Sequence, residues 1–545
     1  MRRLPKAASE RVSPGPLSRG EGSRLLLYRA VGALAGAGTM LIELIGPRLM
    51  QPWFGASVFV WTNVIGVILA AMASGYALGG RLSLRPGVEC RIGVTLLLAG
   101  LFSAAVALGF GALAEAMLPD PVALAALGPV RSGLEVSSLA AAILLFAPPV
   151  FALATVAPQL VRAMVEAGLP AGRAAGSLSF WTTLGSLLGT FLPTYLLVPT
   201  IGSRTSLILA AVLLVAAGAA TLLSGRRKGL ALLVLALPLI PGLGRPEQPI
   251  RTALPGETIV REVESRYQYL RVVRAPAQGK DLDPNVDREL LLRINEGLQE
   301  FHSVTTEGRR DTGGKYYDLL ACLPARCPQD RPIDVLVLGS GAGTLSRVLI
   351  ETWGADRFGS IVDVEIDPAV LELTRLFDPQ GKRASVRSFE LDGRRFLRLC
   401  SQRFDLIYVD AYARQIDVPF HMATVEFFAL AKRRLREDGC IALNVSGSDR
   451  QTALVRGIER SLIEGGFARP RMLPVPHWGN MALLAAADGA EPYPGTLVLP
   501  DTHLRGLWDA ADRFRSEVSV DPGAPPFTDD FAPIEHLTQV WLKGS

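Results

Sequence analysis

The chain has 545 residues, of which 49% are hydrophobic and only 20% are charged, and its mean hydropathy is +0.30. A soluble globular protein of this size rarely has so high a value, so the composition excludes an ordinary cytosolic enzyme, a disordered chain and a collagen-like chain. The formal net charge of +5 is small for this length, and arginines beside apolar segments are typical of membrane flanks rather than of nucleic-acid contacts.

Residues 1–24 are basic, rich in proline, glycine and serine, and lack the apolar core of a signal peptide, so we predict a disordered tail there. Seven apolar segments follow: Leu25–Ile45, Val58–Leu78, Ile92–Leu113, Leu139–Val161, Leu178–Val198, Leu207–Leu223 and Leu230–Leu243. Most can cross a hydrocarbon layer about 30 Å thick at about 1.5 Å per helical residue. Because the last segment is short and contains two prolines, residues 25–245 are predicted to form a membrane domain of six or seven helices.

Two pairs of glycines lie four residues apart within these apolar segments. They are Gly75 with Gly79 and Gly185 with Gly189. This spacing lets helix backbones approach closely in lipid. We predict that both pairs are helix-packing sites.

The chain after residue 245 has the pattern of a soluble α/β protein. Following a proline-rich linker, alternating apolar residues in ETIVREVES, YQYLRVVRA and RELLLRINE predict a small antiparallel β domain over residues 246–330. A strand and helix rhythm then predicts a Rossmann-like, doubly wound parallel sheet over residues 331–545. Its strands are placed at Asp334–Leu338, Ser360–Val364, Ala384–Phe389, Asp405–Val409 and Cys440–Val445.

A glycine turn follows the first of these strands in VLVLGSGAGTLSRVL. Its glycines, Gly339, Gly341 and Gly343, let a backbone come close to a ligand at a helix N-terminus. Glu365 and Asp367 end the next strand, about twenty residues on, where an acid can accept hydrogen bonds from both hydroxyls of a ribose. Together the loop and the acid indicate a nucleoside ligand.

Two further acids follow strands of the same sheet. Asp392 comes after the third strand and Asp410 closes the fourth, so both are expected in the crevice at the carboxyl edge. A helix cap is the alternative role for either residue. Asp529 and Asp530, in PFTDDFAPIE, belong either to a loop that closes over this crevice or to a plain surface turn.

No metal site is predicted. The five cysteines form no CxxC pair, and His421 and His477 have no second histidine at ligand spacing. Cys322 and Cys327 are interpreted as unrelated thiols, with a disulfide as the alternative if the domain lies in an oxidising compartment.

With these motifs the sequence resembles the spermidine synthase (polyamine aminopropyltransferase) family, and more closely its bacterial branch in which that domain follows a multi-span membrane region. The resemblance covers about residues 25–540. It is carried by MLIELIGPRLMQPWFGASVFVW, YALGGR, SRYQYLRV, LRINEGLQ, GGKYYD, the glycine loop, VEIDPAV, LDG, YVDAY with VPFHMAT, and PFTDDFAPIE.

The resemblance implies a role for each matching residue. The cofactor would be bound by Gly339, Gly341, Gly343, Glu365 at the ribose, Asp392 and Gly393 at the adenine, and Gln268. The amine substrate would be bound by Tyr316, Gln268 and Asp410. Asp410 would also be catalytic, as the acceptor of the proton of the attacking amine.

Three positions depart from the family pattern. Ala342 stands where the family has an aspartate that meets the amine of the decarboxylated donor, and Ala413 stands where a second acid is expected, although Asp417 is close. Tyr317 replaces the usual glutamine or histidine. These changes leave the fold in place but weaken the assignment of putrescine and of the decarboxylated donor.

We therefore expect a membrane-anchored transferase of polyamine biosynthesis that moves an aminopropyl group from decarboxylated S-adenosylmethionine to an amine such as putrescine. One alternative is a transferase of the same fold that uses intact S-adenosylmethionine. The other is a membrane solute carrier or sensor with a non-catalytic synthase-like domain. The expected partners are a small cationic amine, the lipid bilayer and a second copy in a homodimer, with no nucleic acid and no metal.

The sidedness follows from the loop arginines and the cofactor. The positive-inside rule places the N-terminal tail in the cytoplasm, and seven spans would carry the C-terminal domain outside. S-adenosyl donors are made in the cytosol. We therefore expect a multi-pass protein of the cell membrane in which Leu230–Leu243 does not fully cross and residues 246–545 face the cytoplasm.

Overall fold

A computed structural model describes most of the chain. The described residues are 19–55, 58–117, 131–224, 250–279, 282–295, 301–412, 418–446, 452–492, 497–513, 516–517, 524–534 and 536–538. The chain forms two compact units. The first comprises Met1–Leu49, Val58–Ala114 and Ser138–Gln248, and the second comprises Met50–Ser57, Glu115–Ser137 and Pro249–Ser545.

Apolar helices make up the described part of the first unit. They are α1 (Arg19–Phe54), α2 (Val58–Ser83), α3 (Val88–Met117), α4 (Arg131–Glu166), α5 (Ala171–Leu192) and α6 (Val198–Ser224), with a π-helical turn at Pro193–Leu197. The expected disordered tail is wrong for residues 19–24, which belong to α1. No proline follows Pro16 in this stretch, so nothing there breaks the backbone ladder that extends from the apolar part of the helix.

Six of the seven apolar segments lie on these helices, and the seventh, Leu230–Leu243, lies outside the described residues. Five helical runs in the described part of the chain are long and apolar enough to cross a membrane. The last of them is a run of 53 residues that joins α5 and α6 and carries two of the apolar segments. It is kinked at Gly202, whose φ of 77° is not helical.

The glycine pairs are packing sites, as predicted. A Cβ on Gly75 would lie 2.6 Å from the backbone oxygen of Phe151, and one on Gly79 would lie 2.5 Å from that of Thr155. In α5, Gly185 and Gly189 make the same kind of contact with the backbone of α1. Helix backbones therefore touch at these four positions, and a side chain at any of them would push two helices apart.

The second unit begins with a small antiparallel sheet. Its strands are β1 (Thr258–Glu264), β2 (Tyr269–Pro276), β3 (Arg288–Ile294) and β4 (Ser303–Thr306), paired in the order β1-β2-β3-β4. The three predicted strands are confirmed, and β4 is an addition.

An eight-stranded sheet follows. Its strands are β5 (Ile333–Leu338), β6 (Phe358–Glu365), β7 (Arg387–Glu390), β8 (Phe404–Val409), β9 (Leu435–Ser446), β10 (Arg471–Pro474), β11 (Asn480–Ala486) and β12 (Ser516–Glu517). Their order is β12-β10-β11-β9-β8-β5-β6-β7. The five predicted parallel strands are confirmed. The expectation of a wholly parallel sheet is wrong, because β10, β11 and β12 pair antiparallel. The connection from β10 to β11 is too short for a parallel crossover.

Helices cover both faces of this sheet. They are α7 (Tyr316–Leu320), α8 (Thr344–Trp353), α9 (Pro368–Phe377), α10 (Gly393–Leu399), α11 (Val425–Arg434), α12 (Ala453–Glu464) and α13 (Thr502–Arg513), with 3-10 turns at Leu323–Ala325, Ala355–Arg357 and Phe420–Met422. One core lies under α7, α8 and α13, and a second lies under α10, α11 and α12. The central strands are buried on both faces, which explains their continuous apolar sequence.

We predict that Gly185→Ala destabilises the helical unit by about 1–3 kcal/mol, because the new methyl group meets the backbone of α1 at Ala33. The matched control is Gly176→Ala in the same helix, where nothing lies within 4 Å of the added carbon. Thermal unfolding in detergent would measure both. An equal midpoint for the two variants would contradict the packing role of Gly185.

Candidate functional site

The glycine loop lies between two acids because of the strand order. β5 pairs with β6 on one side and with β8 on the other, all parallel, so their carboxyl ends meet at one edge. The loop follows β5, Glu365 ends β6 and Asp410 follows β8. The Asp410 N–H donates to the oxygen of Leu338 at 2.9 Å, which holds the start of its loop against β5. The sheet thus brings together three of the predicted features.

The glycine loop requires glycine for two reasons. Gly339, Gly341 and Gly343 have φ values of 79°, 54° and 82°, which other residues rarely adopt. A Cβ on Gly339 would also lie 2.5 Å from the Cα of Ala411, and one on Gly343 would collide with the guanidinium of Arg383. The loop is therefore fitted tightly against the chain on either side.

The small antiparallel sheet holds the same loop. The Ala342 N–H donates to Ser303 Oγ at 2.8 Å, and the Val304 N–H donates to Thr344 Oγ1 at 2.9 Å. The Ala342 methyl group is fully buried in an apolar cluster with residues of β2, β3 and α9, among them Leu270 and Phe377. Ala413 and Asp417, the other departures considered near the site, lie outside the described residues.

Glu365 is tied to the glycine loop by backbone donors. Its Oε2 accepts from Gly341 N at 3.0 Å, and its Oε1 accepts from Asp367 N at 3.1 Å. Burial raises the pKa of Glu365 to about 7, and the nearby Asp367 carboxylate acts in the same direction. Each carboxylate oxygen keeps a further lone pair, so the group can still accept hydrogen bonds from two hydroxyls.

Asp410 is held by side-chain donors at both oxygens. Tyr316 Oη donates to Oδ2 at 2.9 Å, and Asn444 Nδ2 donates to Oδ1 at 2.8 Å. Burial raises the pKa of Asp410 to about 7 and the charge of Glu365 raises it further, whereas the two hydrogen bonds lower it. A carboxyl group with such a pKa can exchange a proton with a ligand near neutral pH.

Aromatic rings lie next to Asp410. Tyr316 and Tyr317 have ring centroids 4.0 Å apart, Phe301 stacks on Tyr316 at 6.5 Å, and Trp478 meets Phe301 edge-on at 5.9 Å. Burial raises the pKa of both tyrosines well above the usual value, so both phenols stay protonated. Aromatic faces beside a carboxylate suit an organic cation. Sequence reasoning found Tyr316 but missed Phe301 and Trp478.

Gln268 borders the opposite end of the site. It lies in the turn between β1 and β2, where Ser265 Oγ donates to Asp367 Oδ2 at 2.6 Å and Gln268 also hydrogen-bonds Asp367. Asp367 caps α9 two residues after Glu365. Gln268 is therefore near the Glu365 end of the crevice, and Tyr316 is at the Asp410 end.

Asp392 is a helix cap, one of the two roles considered for it. Its side chain accepts from Arg395 N at 2.8 Å at the start of α10, and His421 Nε2 lies 2.9 Å from Oδ2. The hydrogen bond with His421 lowers the pKa of Asp392. Gly393, the first residue of α10, is buried, and a Cβ there would lie 3.0 Å from Met422 Cε.

The turn with Asp529 and Asp530 is fastened beside this cap. Both oxygens of Asp529 pair with the guanidinium of Arg394 at 2.6 Å, and Thr424 Oγ1 donates to Oδ1 at 2.9 Å. In this structure these contacts hold the turn against α10.

One group in the described residues has the composition of a metal site. Oxygen and nitrogen atoms of Asp311, Asp318 and His503 lie within 4.8 Å of one another. Both acids already have partners, because Asp318 accepts from Thr312 N and Gly314 N, and Asp311 pairs with Arg309 at 3.1 Å. A cation would have to replace these contacts.

Asn444 and Asn480 are site residues that sequence reasoning missed. Asn444 interrupts the apolar run CIALNV of β9, and a polar residue in a buried strand could have signalled it. Asn480 donates from Nδ2 to Asn444 Oδ1 at 3.0 Å. It could not have been found, because the antiparallel strand that carries it was not predicted.

Comparison with known proteins identifies the kind of domain that contains these residues. Residues 315–488 match the family model "Spermine/spermidine synthase domain". The chain is 29% identical over 295 residues to the "Probable polyamine aminopropyl transferase" of Bifidobacterium longum, covering 51% of this chain and 61% of the relative. It is 25% identical over 313 residues to "Polyamine aminopropyltransferase 1" of Streptomyces coelicolor, covering 54% of each.

The chain thus spans somewhat more than half the length of these curated relatives. The crystal structure of a probable spermidine synthase from Corynebacterium glutamicum aligns with a TM-score of 0.38 at 18% identity, covering 50% of this chain and 98% of that one. The matched residues contain β5 to β9 with the glycine loop, Glu365 and Asp410. The chain therefore carries a Rossmann-type spermine/spermidine synthase domain, which makes its C-terminal part spermidine synthase-like.

Proposed function

We propose that this protein is an aminopropyltransferase that moves the aminopropyl group of decarboxylated S-adenosylmethionine to a small amine such as putrescine. The observation that carries the proposal is the position of Asp410. It lies across the glycine loop from Glu365, beside aromatic rings, with a pKa raised to about 7 by burial. A proton acceptor and a nucleoside-binding acid thus share one crevice.

The proposed reaction is a displacement at the carbon next to a sulfonium. A neutral amine forms the new C–N bond, the C–S bond breaks, and its electron pair stays on sulfur, which leaves as a neutral thioether. Asp410 takes the proton that the alkylated nitrogen loses. Tyr316 and Asn444 hold the two oxygens of Asp410 so that the carboxylate faces one direction.

In the proposed binding mode, the donor's ribose hydroxyls would bind Glu365, and its adenine would lie against Asp392 and Gly393. Gln268 would border the donor near Glu365. The glycine loop leaves room for the donor because Gly339, Gly341 and Gly343 carry no side chains. The donor supplies the activated carbon, and the residues of this chain supply orientation and proton acceptance.

Intact S-adenosylmethionine is the second candidate donor, and the environment of Ala342 favours it. The methyl group of Ala342 is buried among apolar residues, so position 342 places no acid near the donor that would repel a carboxylate. A competition between the two donors would distinguish these candidates.

We further propose that α1 to α6 cross the cell membrane six times and that the synthase-like domain faces the cytoplasm. The support is the length and apolar composition of the helical runs, together with the arginines of the loops before α3 and before α5.

The direct test uses the full chain in detergent or nanodiscs with either donor labelled on the transferred group and with a panel of mono-, di- and triamines. Formation of the thioether and of an alkylated amine in equal amounts supports the transferase. Donor binding without any product from any amine would reject it and favour a binding module.

We expect Asp410→Asn to lower turnover by about a hundredfold to ten-thousandfold, the usual effect of losing a general base. Binding of the thioether product should change little, because the amide keeps the shape and most contacts of the carboxylate. Steady-state kinetics and calorimetry measure the two effects. Asp356→Asn, at an exposed 3-10 turn, is the control. Undiminished turnover of Asp410→Asn would remove Asp410 from the mechanism.

The pH dependence of the wild-type enzyme follows from the same group. Asp410 accepts a proton only when it is ionised, and its pKa is raised to about 7. We therefore expect kcat/KM to fall as the pH decreases below about 7, with Glu365, whose pKa is also about 7, contributing to the same acid limb. A plateau that already extends down to pH 5 would show that another group takes the proton.

Glu365→Ala should weaken binding of the thioether product by about 1.5–3 kcal/mol, the range for hydrogen bonds to a charged group. Glu365→Gln should have a smaller effect because it keeps one acceptor. Calorimetry with the full chain measures both effects. The control is Glu437→Ala near the start of β9, away from the carboxyl ends of the parallel strands where the crevice lies. An unchanged dissociation constant would place the ribose elsewhere.

The sidedness can be tested with cysteines, but Cys322 and Cys327 are unsuitable because both are buried free thiols. An impermeant maleimide should label Thr200→Cys in intact cells, because Thr200 lies between the last two proposed spans on the outer side. Ser401→Cys, exposed in the synthase-like domain, should react only after lysis. Both variants are made with Cys90→Ser and Cys400→Ser. Labelling of Ser401→Cys from outside would contradict the cytoplasmic location.

A further inference from the structure

Two asparagines form a line of hydrogen bonds that ends at Asp410. Asn480 Nδ2 donates to Asn444 Oδ1 at 3.0 Å, and Asn444 Nδ2 donates to Asp410 Oδ1 at 2.8 Å. The residues belong to β11, β9 and the end of β8, which are neighbours in the sheet. In the register of β9 and β11, Asn480 pairs with Ser446, which is two residues after Asn444 along β9.

The direction of donation along these two hydrogen bonds follows from the chemistry of the groups. A carboxylate only accepts hydrogen bonds, so Asn444 must turn its nitrogen toward Asp410. Its oxygen then faces away and needs a donor, and Asn480 supplies one. A rotation of the Asn444 amide by half a turn would place oxygen against oxygen at Asp410 and nitrogen against nitrogen at Asn480. Asp410 therefore sets the orientation of the Asn444 amide, and Asn480 reinforces that orientation by donating to the oxygen that faces away.

The surroundings keep Asn444 in place. Only 5% of this residue is exposed, and its backbone oxygen accepts from Tyr412 Oη at 2.7 Å. A buried amide pays a free-energy penalty for any hydrogen bond it loses, so the oriented state is strongly favoured over one with an unpaired group.

We propose that Asn444, oriented by Asn480, is a positioning residue that keeps the Asp410 carboxylate ionised and aimed for proton acceptance. The inference rests on the proposed transferase function and assigns roles to two residues outside the predicted site.

Other groups that face Asp410 act on its charge as well. Tyr316 donates to its second oxygen, Tyr317 interacts with it as a protonated phenol, and Glu365 repels its charge from across the glycine loop. Removing Asn444 leaves all of these unchanged. The loss of one donor to the ionised form should therefore raise the pKa of Asp410.

The test is the pH profile of kcat/KM in the full-length protein. Asn444→Leu removes the donor and should move the acid limb upward by about one pH unit, which is a tenfold change in the ionisation equilibrium. Asn480→Leu removes the donor to the Asn444 oxygen and should give a smaller shift in the same direction. Asn480→Gln keeps a donor and should restore most of the wild-type profile. Asn285→Leu, in an exposed turn, is the control.

A purely structural role would lower the unfolding midpoint and the amount of active protein but leave the pH midpoint unmoved. An unmoved acid limb in folded Asn444→Leu, or in folded Asn480→Leu if the first variant does not fold, would overturn the proposal. Rescue by Asn480→Gln supports it, and failure of that rescue counts against orientation by Asn480.

A second readout separates this inference from the transferase function. Infrared difference spectra between the protein and its Asp410→Asn variant report the carboxylate band of Asp410 directly as the pH is changed. If the wild type transfers no group, the proposed function fails. An upward shift in the pH midpoint at which this band titrates in Asn444→Leu still supports the positioning role. An unchanged pH midpoint of the band overturns the positioning role, whether or not the enzyme is active.

Discussion

The site depends on keeping two carboxyl groups within one crevice while most water is excluded from them. Glu365 and Asp410 lie on either side of the glycine loop. Burial raises the pKa of both carboxyl groups, and the charge of Glu365 also raises the pKa of Asp410. The donors that hold them are two backbone N–H groups, a phenol and an amide. Neutral donors stabilise a carboxylate less than a cation would, so both acids remain able to change protonation near neutral pH.

This constraint accounts for several parts of the fold that are distant in sequence. β4 holds the glycine loop through Ser303, which accepts from Ala342 N, next to the Gly341 N–H that donates to Glu365. α7 carries Tyr316, which donates to Asp410. The hairpin of β10 and β11 adds Asn480 and, in its turn, Trp478. The small sheet and the antiparallel extension are thus both required to complete a site whose centre is the parallel sheet.

The sequence predicts the parts of the molecule in which one local pattern decides the outcome. The apolar runs of β5 and β8 and the glycines after β5 identify the centre of the sheet, and acids at strand ends identify Glu365 and Asp410. β10 and β11 were missed because β10 has only four residues and the pairing of both strands depends on a hairpin rather than on a helix crossover. Asn480 was missed with them. The orientation of the Ala342 side chain could not be predicted from the sequence either. A loop residue can face the ligand or the small sheet, and the packing against β2 and β3 decides between these two orientations.

The ion pair between Arg394 and Asp529 has a consequence for the order of synthesis. These two residues are 135 positions apart in the chain. The strands around the crevice therefore leave the ribosome long before the turn that carries Asp529. Until then the guanidinium of Arg394, whose side chain is only 8% exposed in the finished domain, has no carboxylate to neutralise it. Burial of an unpaired cation is costly, so the packing around α10 is complete only when the turn with Asp529 has joined it. Prematurely terminated chains would share this defect and would be substrates for quality-control proteases, even though they contain every acid and glycine of the crevice.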